Sequence, residues 1–117
     1  MRYMLLIYMQ ETEVSDEEEK SVAKTHHNVM NEARRRGIFN GAEPLMPTNT
    51  ATTVRHKDGE VLVTDGPFAE TKEQLGGYYI LDCENLDEAI EWASKIPSAY
   101  GGSEGCVEIR PIRPMRN

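Results

Sequence analysis

The segment Asp65-Gly66-Pro67-Phe68 sets a carboxylate at a strand end, just before a turn built on glycine and proline. Proline fixes one dihedral and removes a donor, and glycine reaches backbone angles closed to other residues, so Asp65 is held in a fixed orientation. A carboxylate presented in this way can move a proton or orient a neighbouring base. A plainer role is widespread too: Asp before Gly often hydrogen-bonds its own turn. His26 is the second candidate, since histidine is the side chain most easily poised for proton transfer near neutral pH. Its plainer role is a buried histidine satisfied by one hydrogen bond. As a catalytic pair, His26 would be the general base or acid, and Asp65 would orient the imidazole and stabilise the imidazolium.

Around this pair, the expected substrate-binding residues are His27, Glu43, Phe68, Glu70, Lys72 and Tyr78. Glu70 and Lys72, with Glu73, either line a pocket or form a solvated charged loop. His27 lies about 100° round the helix from His26, on the flank shared with Ala23 and Arg34. Tyr78 and Tyr79 face opposite sides of their strand, so at most one of them looks into any given pocket. No metal site is expected, because His26 and His27 diverge and no His-x-x-x-His or Cys pairing is present. On a glyoxalase-like reading only His56 and Glu43 offer donors. No glycine-rich phosphate loop, Gly-x-Ser-x-Gly elbow or nucleotide fingerprint occurs, and no cofactor is expected.

The elements that must position these groups follow from local pattern. Residues 3–9 are apolar at odd and even positions alike, so this strand needs cover on both faces. Ser15 and Glu18 have capping-box spacing, and Asp16 to Glu19 are acidic, which predicts a helix over residues 16–36 that Gly37 ends. Its inward face is Val22, His26, Met30 and Ala33. An irregular strand over residues 38–46, broken by Gly41 and stopped by Pro44 and Pro47, comes next. Residues 50–56 and 60–64 form a hairpin around Asp58-Gly59, a strong two-residue turn signal. Residues 69–77 read as a charged loop with a Gly76-Gly77 exit, and 78–83 as a strand. Asn85 and Glu88 cap a second helix through Ala89, Ile90, Ala93 and Ile96 that Pro97 terminates. A Gly/Ser loop over 98–105 and a closing strand over 106–112 complete the order. That order predicts an α+β, ferredoxin-like sheet with an inserted β-hairpin. Both helices can cover only one face of it, and a second copy of the sheet is the simplest cover for the other, hence an expected homodimer.

Composition bounds the rest. The 117 residues suit one domain, 1–117, with 28% charged residues and 38% hydrophobic ones, the hydrophobic ones gathered into runs, which argues for a folded chain. A net charge of −7 repels a phosphate backbone, so nucleic acid is not an expected partner. The one basic cluster, Arg34-Arg35-Arg36, sits where a helix carbonyl end favours cations. Cys83 and Cys106 form no Cys-x-x-Cys motif and fit reduced thiols in a cytoplasmic protein. The apolar stretch at the N-terminus is far short of the roughly 20 residues a membrane span needs, and no membrane association is expected.

Five stretches carry a family resemblance: Arg2-Tyr3-Met4-Leu5-Leu6-Ile7-Tyr8, Gly41-Ala42-Glu43-Pro44-Leu45, Ala51-Thr52-Thr53-Val54-Arg55, residues 64–77, and Leu86-Asp87-Glu88-Ala89. Together they resemble the YCII-related family, in its Asp-Gly-Pro-Phe (DGPF) subgroup. The resemblance implies ferredoxin-like subunits of the dimeric α/β-barrel type, and a cleft where a His and an Asp form an acid/base pair. Asp65 matches that Asp by its loop motif; His26 or His27 matches the His, and the inward periodicity favours His26. The family's activity is largely unassigned. Distant relatives act on small aromatic or lactone-like compounds, and some accompany extracytoplasmic-function sigma factors. Two functions are therefore expected to compete. One is a cofactor-independent lyase or isomerase doing acid/base chemistry on a small organic molecule. The other is a non-catalytic module that binds a small ligand or a regulatory protein partner.

Overall fold

The computed structural model describes residues 1–99 and 103–115. Strand β1 (Arg2–Met9) lies at the centre of a four-stranded antiparallel sheet, between β5 (Gln74–Asp82) and β6 (Gly105–Pro111). β2 (Phe39–Pro44) flanks β5, giving the order β2-β5-β1-β6. Helices α1 (Asp16–Arg35) and α2 (Leu86–Lys95) make the two crossovers. This is the ferredoxin-like arrangement of the dimeric α/β-barrel type, and its insertion is the hairpin β3 (Thr52–Lys57) and β4 (Glu60–Asp65). A 3-10 turn, Thr48–Thr50, leads into that hairpin. Part of the expected Gly/Ser loop, residues 100–102, lies outside the described residues.

Local chemistry explains the helix limits. Ser15 Oγ accepts the Glu18 N–H at 3.1 Å, and four acids occupy the positive first turn of α1. Gly37, at φ +73°, closes the other end in the left-handed conformation. In α2 the Asn85 Oδ1 accepts the Glu88 N–H at 2.9 Å. The arginine run at the end of α1 is put to structural use. Arg34 lies over the Phe39 ring at 4.6 Å, while Arg36 and Lys95 both bond Glu32 and both sit over Trp92. These contacts tie α1 to β2 and α2.

The core lies between the helices and one sheet face. Tyr3, Leu5 and Ile7 of β1 alternate inward with Tyr79 and Leu81 of β5, and meet Val29 and Ala33 of α1 and Ala89 and Trp92 of α2. Each large apolar side chain buried there contributes about 1.5–3 kcal/mol. Val29 is the most deeply buried valine of α1, while Val22, His26 and Met30 are half-buried beside it. The inward stripe is thus centred on residues 22, 26, 29 and 33. The intervening β1 residues Met4, Leu6 and Tyr8 face away from the helices with Tyr78 and Ile80, half-buried, on a face that neither helix covers.

Strand β5 begins at Gln74, several residues before the expected start at Tyr78, so Gly76 and Gly77 belong to the sheet. Their role is close approach. A Cβ on Gly77 would stand 2.9 Å from the Glu43 carbonyl oxygen, and one on Gly76 would press on the Met9 side chain. The register slips between Ile7 and Tyr8, leaving Gly76 as the extra residue of a bulge. Among the described residues, no helix is long and apolar enough to cross a membrane.

Candidate functional site

His26 meets Tyr79. The half-buried α1 places the imidazole over β5, where Nδ1 lies 2.7 Å from the Tyr79 hydroxyl, with the rings stacked at 5.8 Å. Tyr79 is only 2% exposed, and burial pushes its hydroxyl up to about 12, so it is a neutral donor. Its other acceptor, the His26 carbonyl, is distant at 3.5 Å. Because that carbonyl lies farther away, the geometry favours the hydroxyl donating to Nδ1, the arrangement of the Nε2–H tautomer. Burial, and then electrostatic repulsion from the neighbouring His27, lower the His26 pKa below its ordinary value. The imidazole is neutral at pH 7.

The Asp-Gly-Pro-Phe turn is anchored through its backbone. Gly66, at φ +97°, donates its N–H to the Ala51 carbonyl at 2.7 Å, and its own carbonyl accepts the Thr53 hydroxyl at 2.8 Å. Arg55 Nη2 donates to the Phe68 carbonyl at 2.9 Å. Beyond the turn, Gln74 Nε2 donates to the carbonyls of Ala69 and Thr71, which curls the segment back toward β5. On the facing side Glu11 accepts the Thr48 N–H at 3.0 Å and holds the 3-10 turn against the end of β1. Between these segments lies an open cleft of about 450 Å³, lined by Gly66 and Pro67 of the turn, Glu70, Thr71, Lys72 and Gln74 beyond it, and Glu11, Thr48 and Asn49 opposite.

Its polar groups are unevenly committed. Lys72 pairs with Glu104 at 3.2 Å, with both side chains largely exposed, so this ion pair exchanges readily with solvent or ligand. Gln74 spends its amide N–H groups on the chain and leaves its carbonyl oxygen available. The cleft thus offers one ammonium, carboxylates at Glu11 and Glu70 and a neutral acceptor, a set that suits a small polar molecule.

Of the residues expected to bind substrate, Glu70 and Lys72 line this cleft. Phe68, 76% exposed, stands just beyond the turn and does not line it. Glu43 is the register partner of Tyr78 on the uncovered sheet face, and His27 is exposed on α1. Asp65, exposed, ends β4 opposite Thr52. Among the described residues, no hydrogen bond or ion pair joins Asp65 to His26. Nor do three or more His, Cys, Asp or Glu side chains gather in a way that could hold a metal. Sequence reasoning missed Tyr79 as the partner of His26, although inward alternation with Leu81 and Cys83 marks it as a buried hydroxyl in need of a bond. For Glu11, Thr48 and Asn49 no sequence signal exists, because they reach the cleft only through folding.

Comparison with known proteins agrees with this architecture. The model of the YCII-related domain matches residues 1–116. An uncharacterized protein of Rhizobium meliloti (strain 1021) is 41% identical over 115 residues, covering 96% of this chain and 92% of that protein.

Proposed function

The chain belongs to the YCII-related family, and we propose that it acts as a homodimeric binding protein for a small polar organic molecule, held in the cleft beside the Asp-Gly-Pro-Phe turn. The observation that carries this reading is the cleft itself. Its volume, about 450 Å³, falls in the range of small-molecule sites, roughly 300–1,000 Å³, and the most distinctive loop of the sequence forms one wall. Lys72 would take an anionic group of the ligand in place of Glu104, and Glu70 and the Gln74 carbonyl would accept from hydroxyl or amine groups. The dimer reading rests on the uncovered sheet face, where Met4, Leu6, Tyr8, Tyr78 and Ile80 make a surface that a second sheet would bury.

A catalytic reading, a cofactor-independent lyase or isomerase, draws support from one observation: His26 is held neutral with Nδ1 occupied by Tyr79. In this reading Nε2 exchanges the proton, and Asp65 enters the chemistry as a carboxylate that, among the described residues, no group engages by a hydrogen bond or ion pair. The two readings separate in one experiment. A panel of small aromatic acids and lactones is titrated into isotope-labelled protein and assayed for turnover, with Asp65→Asn and Lys72→Ala in parallel. Binding predicts saturable shifts at residues 66 and 70–74, weakened by Lys72→Ala, with no product. Turnover that Asp65→Asn abolishes while binding persists establishes the enzyme instead. Shifts confined to other surfaces overturn the cleft as the site.

A further inference from the structure

We propose that the β3–β4 arm is a clasp for a second copy of this chain, carrying Asp65 toward that copy; this rests on the homodimer reading above. The pairing Val54–Val63, His56–Val61 and Thr52–Asp65 puts three valines, His56 and Asp65 on one face of the arm. The opposite face carries Thr53, Arg55, Lys57, Glu60 and Thr64, with Leu62 alone among them apolar. The valines are exposed by 54%, 59% and 64% at Val54, Val61 and Val63. A two-stranded hairpin is at best marginally stable in water, so one with an apolar face needs something to lie on.

Among the described residues, its own chain does not supply that support. The arm is a separate two-stranded sheet, and the radius of gyration, 16.1 Å, exceeds the roughly 13 Å of a compact chain this long. The molecule is a slab of 47 × 46 × 18 Å, only two layers deep. Two surfaces are thereby left bare, the outer face of the four-stranded sheet and the valine face of the arm.

Size and symmetry identify the occupant. From strand spacing and rise, the sheet face spans about 500 Å² and the arm face about 200 Å². A standard-size interface buries about 800 Å² per partner, a size that the two surfaces together approach and the sheet face alone does not. Each copy bears both surfaces, so a two-fold pair covers all four at once and closes on itself. Because Asp65 shares the valine face, the same closure turns a carboxylate exposed in one chain toward the other.

Thiol protection and sedimentation test the clasp. Native Cys106 pairs with Tyr8 on the uncovered sheet face and is exposed, so it reports sheet stacking; Val61→Cys conserves shape and reports the arm. At concentrations where the protein sediments as a dimer, both thiols should resist a maleimide and regain reactivity on dilution, while Leu62→Cys stays reactive throughout. Val63→Arg should raise the dimer dissociation constant about 30-fold or more, the size of an interface hot spot, and Leu62→Arg should leave it within about threefold. A dimer in which Cys106 is protected and Val61→Cys reacts freely overturns the clasp and leaves the stacked sheets standing. A protein that is monomeric at every concentration overturns both. If Val63→Arg fails to fold, the labelling of Val61→Cys still decides.

Discussion

Tyr79→Phe removes one oxygen and keeps the ring packed between α1 and β1, so its cost isolates the bond to His26. That bond is short, 2.7 Å, and one end is almost fully buried. A net protein hydrogen bond contributes about 0.5–1.5 kcal/mol, and leaving a buried acceptor unpaired costs about 1–3 kcal/mol. His26 is half-buried, so water partly replaces the lost donor, and the expected destabilisation is about 1–2 kcal/mol. The assay is urea unfolding followed by circular dichroism, run as a double-mutant cycle with His26→Ala, where the coupling should be about 1 kcal/mol with an unchanged slope against urea. Nitrogen NMR adds an independent readout: the His26 proton should reside on Nε2, with Nδ1 as acceptor. Additivity within about 0.3 kcal/mol, or a ring proton on Nδ1, would refute the pairing as a source of stability or its assigned direction.

Gly77→Ala should destabilise by about 1–3 kcal/mol, because its Cβ meets the rigid Glu43 backbone; Gly41→Ala, with open space around it, should stay within about 0.5 kcal/mol in the same urea assay. The pH profile of stability should fall at both ends, as Tyr79 and His26 each bind protons differently in the two states. His26 is depressed below 6.5 in the folded chain, so the unfolded state takes up more protons as pH drops through 6.5 toward the folded value, and stability declines over that window. Cys83 is raised from 9 to about 11 and Tyr79 from 10 to about 12, so the unfolded state loses both protons first, and stability declines from pH 9 to about 12, with the part above pH 11 owed to Tyr79. Urea midpoints across pH should show both limbs, with the acid limb flattened in His26→Ala and the alkaline limb reduced, to the part Cys83 supplies, in Tyr79→Phe.

Much of the architecture is legible one segment at a time. The limits of α1 follow from Ser15 and Gly37, and the β3–β4 turn follows from Asp58-Gly59, both residues at positive φ. The unbroken apolar run in β1 forecasts a sheet with two apolar faces, and the element order forecasts the ferredoxin-like topology. The start of β5 resisted such reading because Gly76 and Gly77 look like a flexible exit. Only their contacts with Met9 and Glu43 reveal glycine as the residue that lets strands approach.

The candidate site divides along the same line. Asp65, Gly66 and Pro67 announce a stiff turn, and His26 announces a proton-active group on an inward helix face, because turn geometry and helical period are encoded within a few neighbouring residues. The partner of His26 lies 53 residues away in sequence, and the cleft draws on the turn, the segment before β5, the 3-10 turn and the end of β1. These meetings are fixed by packing and strand register. The sequence by itself thus determined the elements and the chemistry each one carries; the tertiary structure decided that His26 bonds Tyr79, that Glu70 and Lys72 share a cleft with Glu11, and that the valine arm stands clear of its own sheet, because distance across a fold has no local signature in the chain.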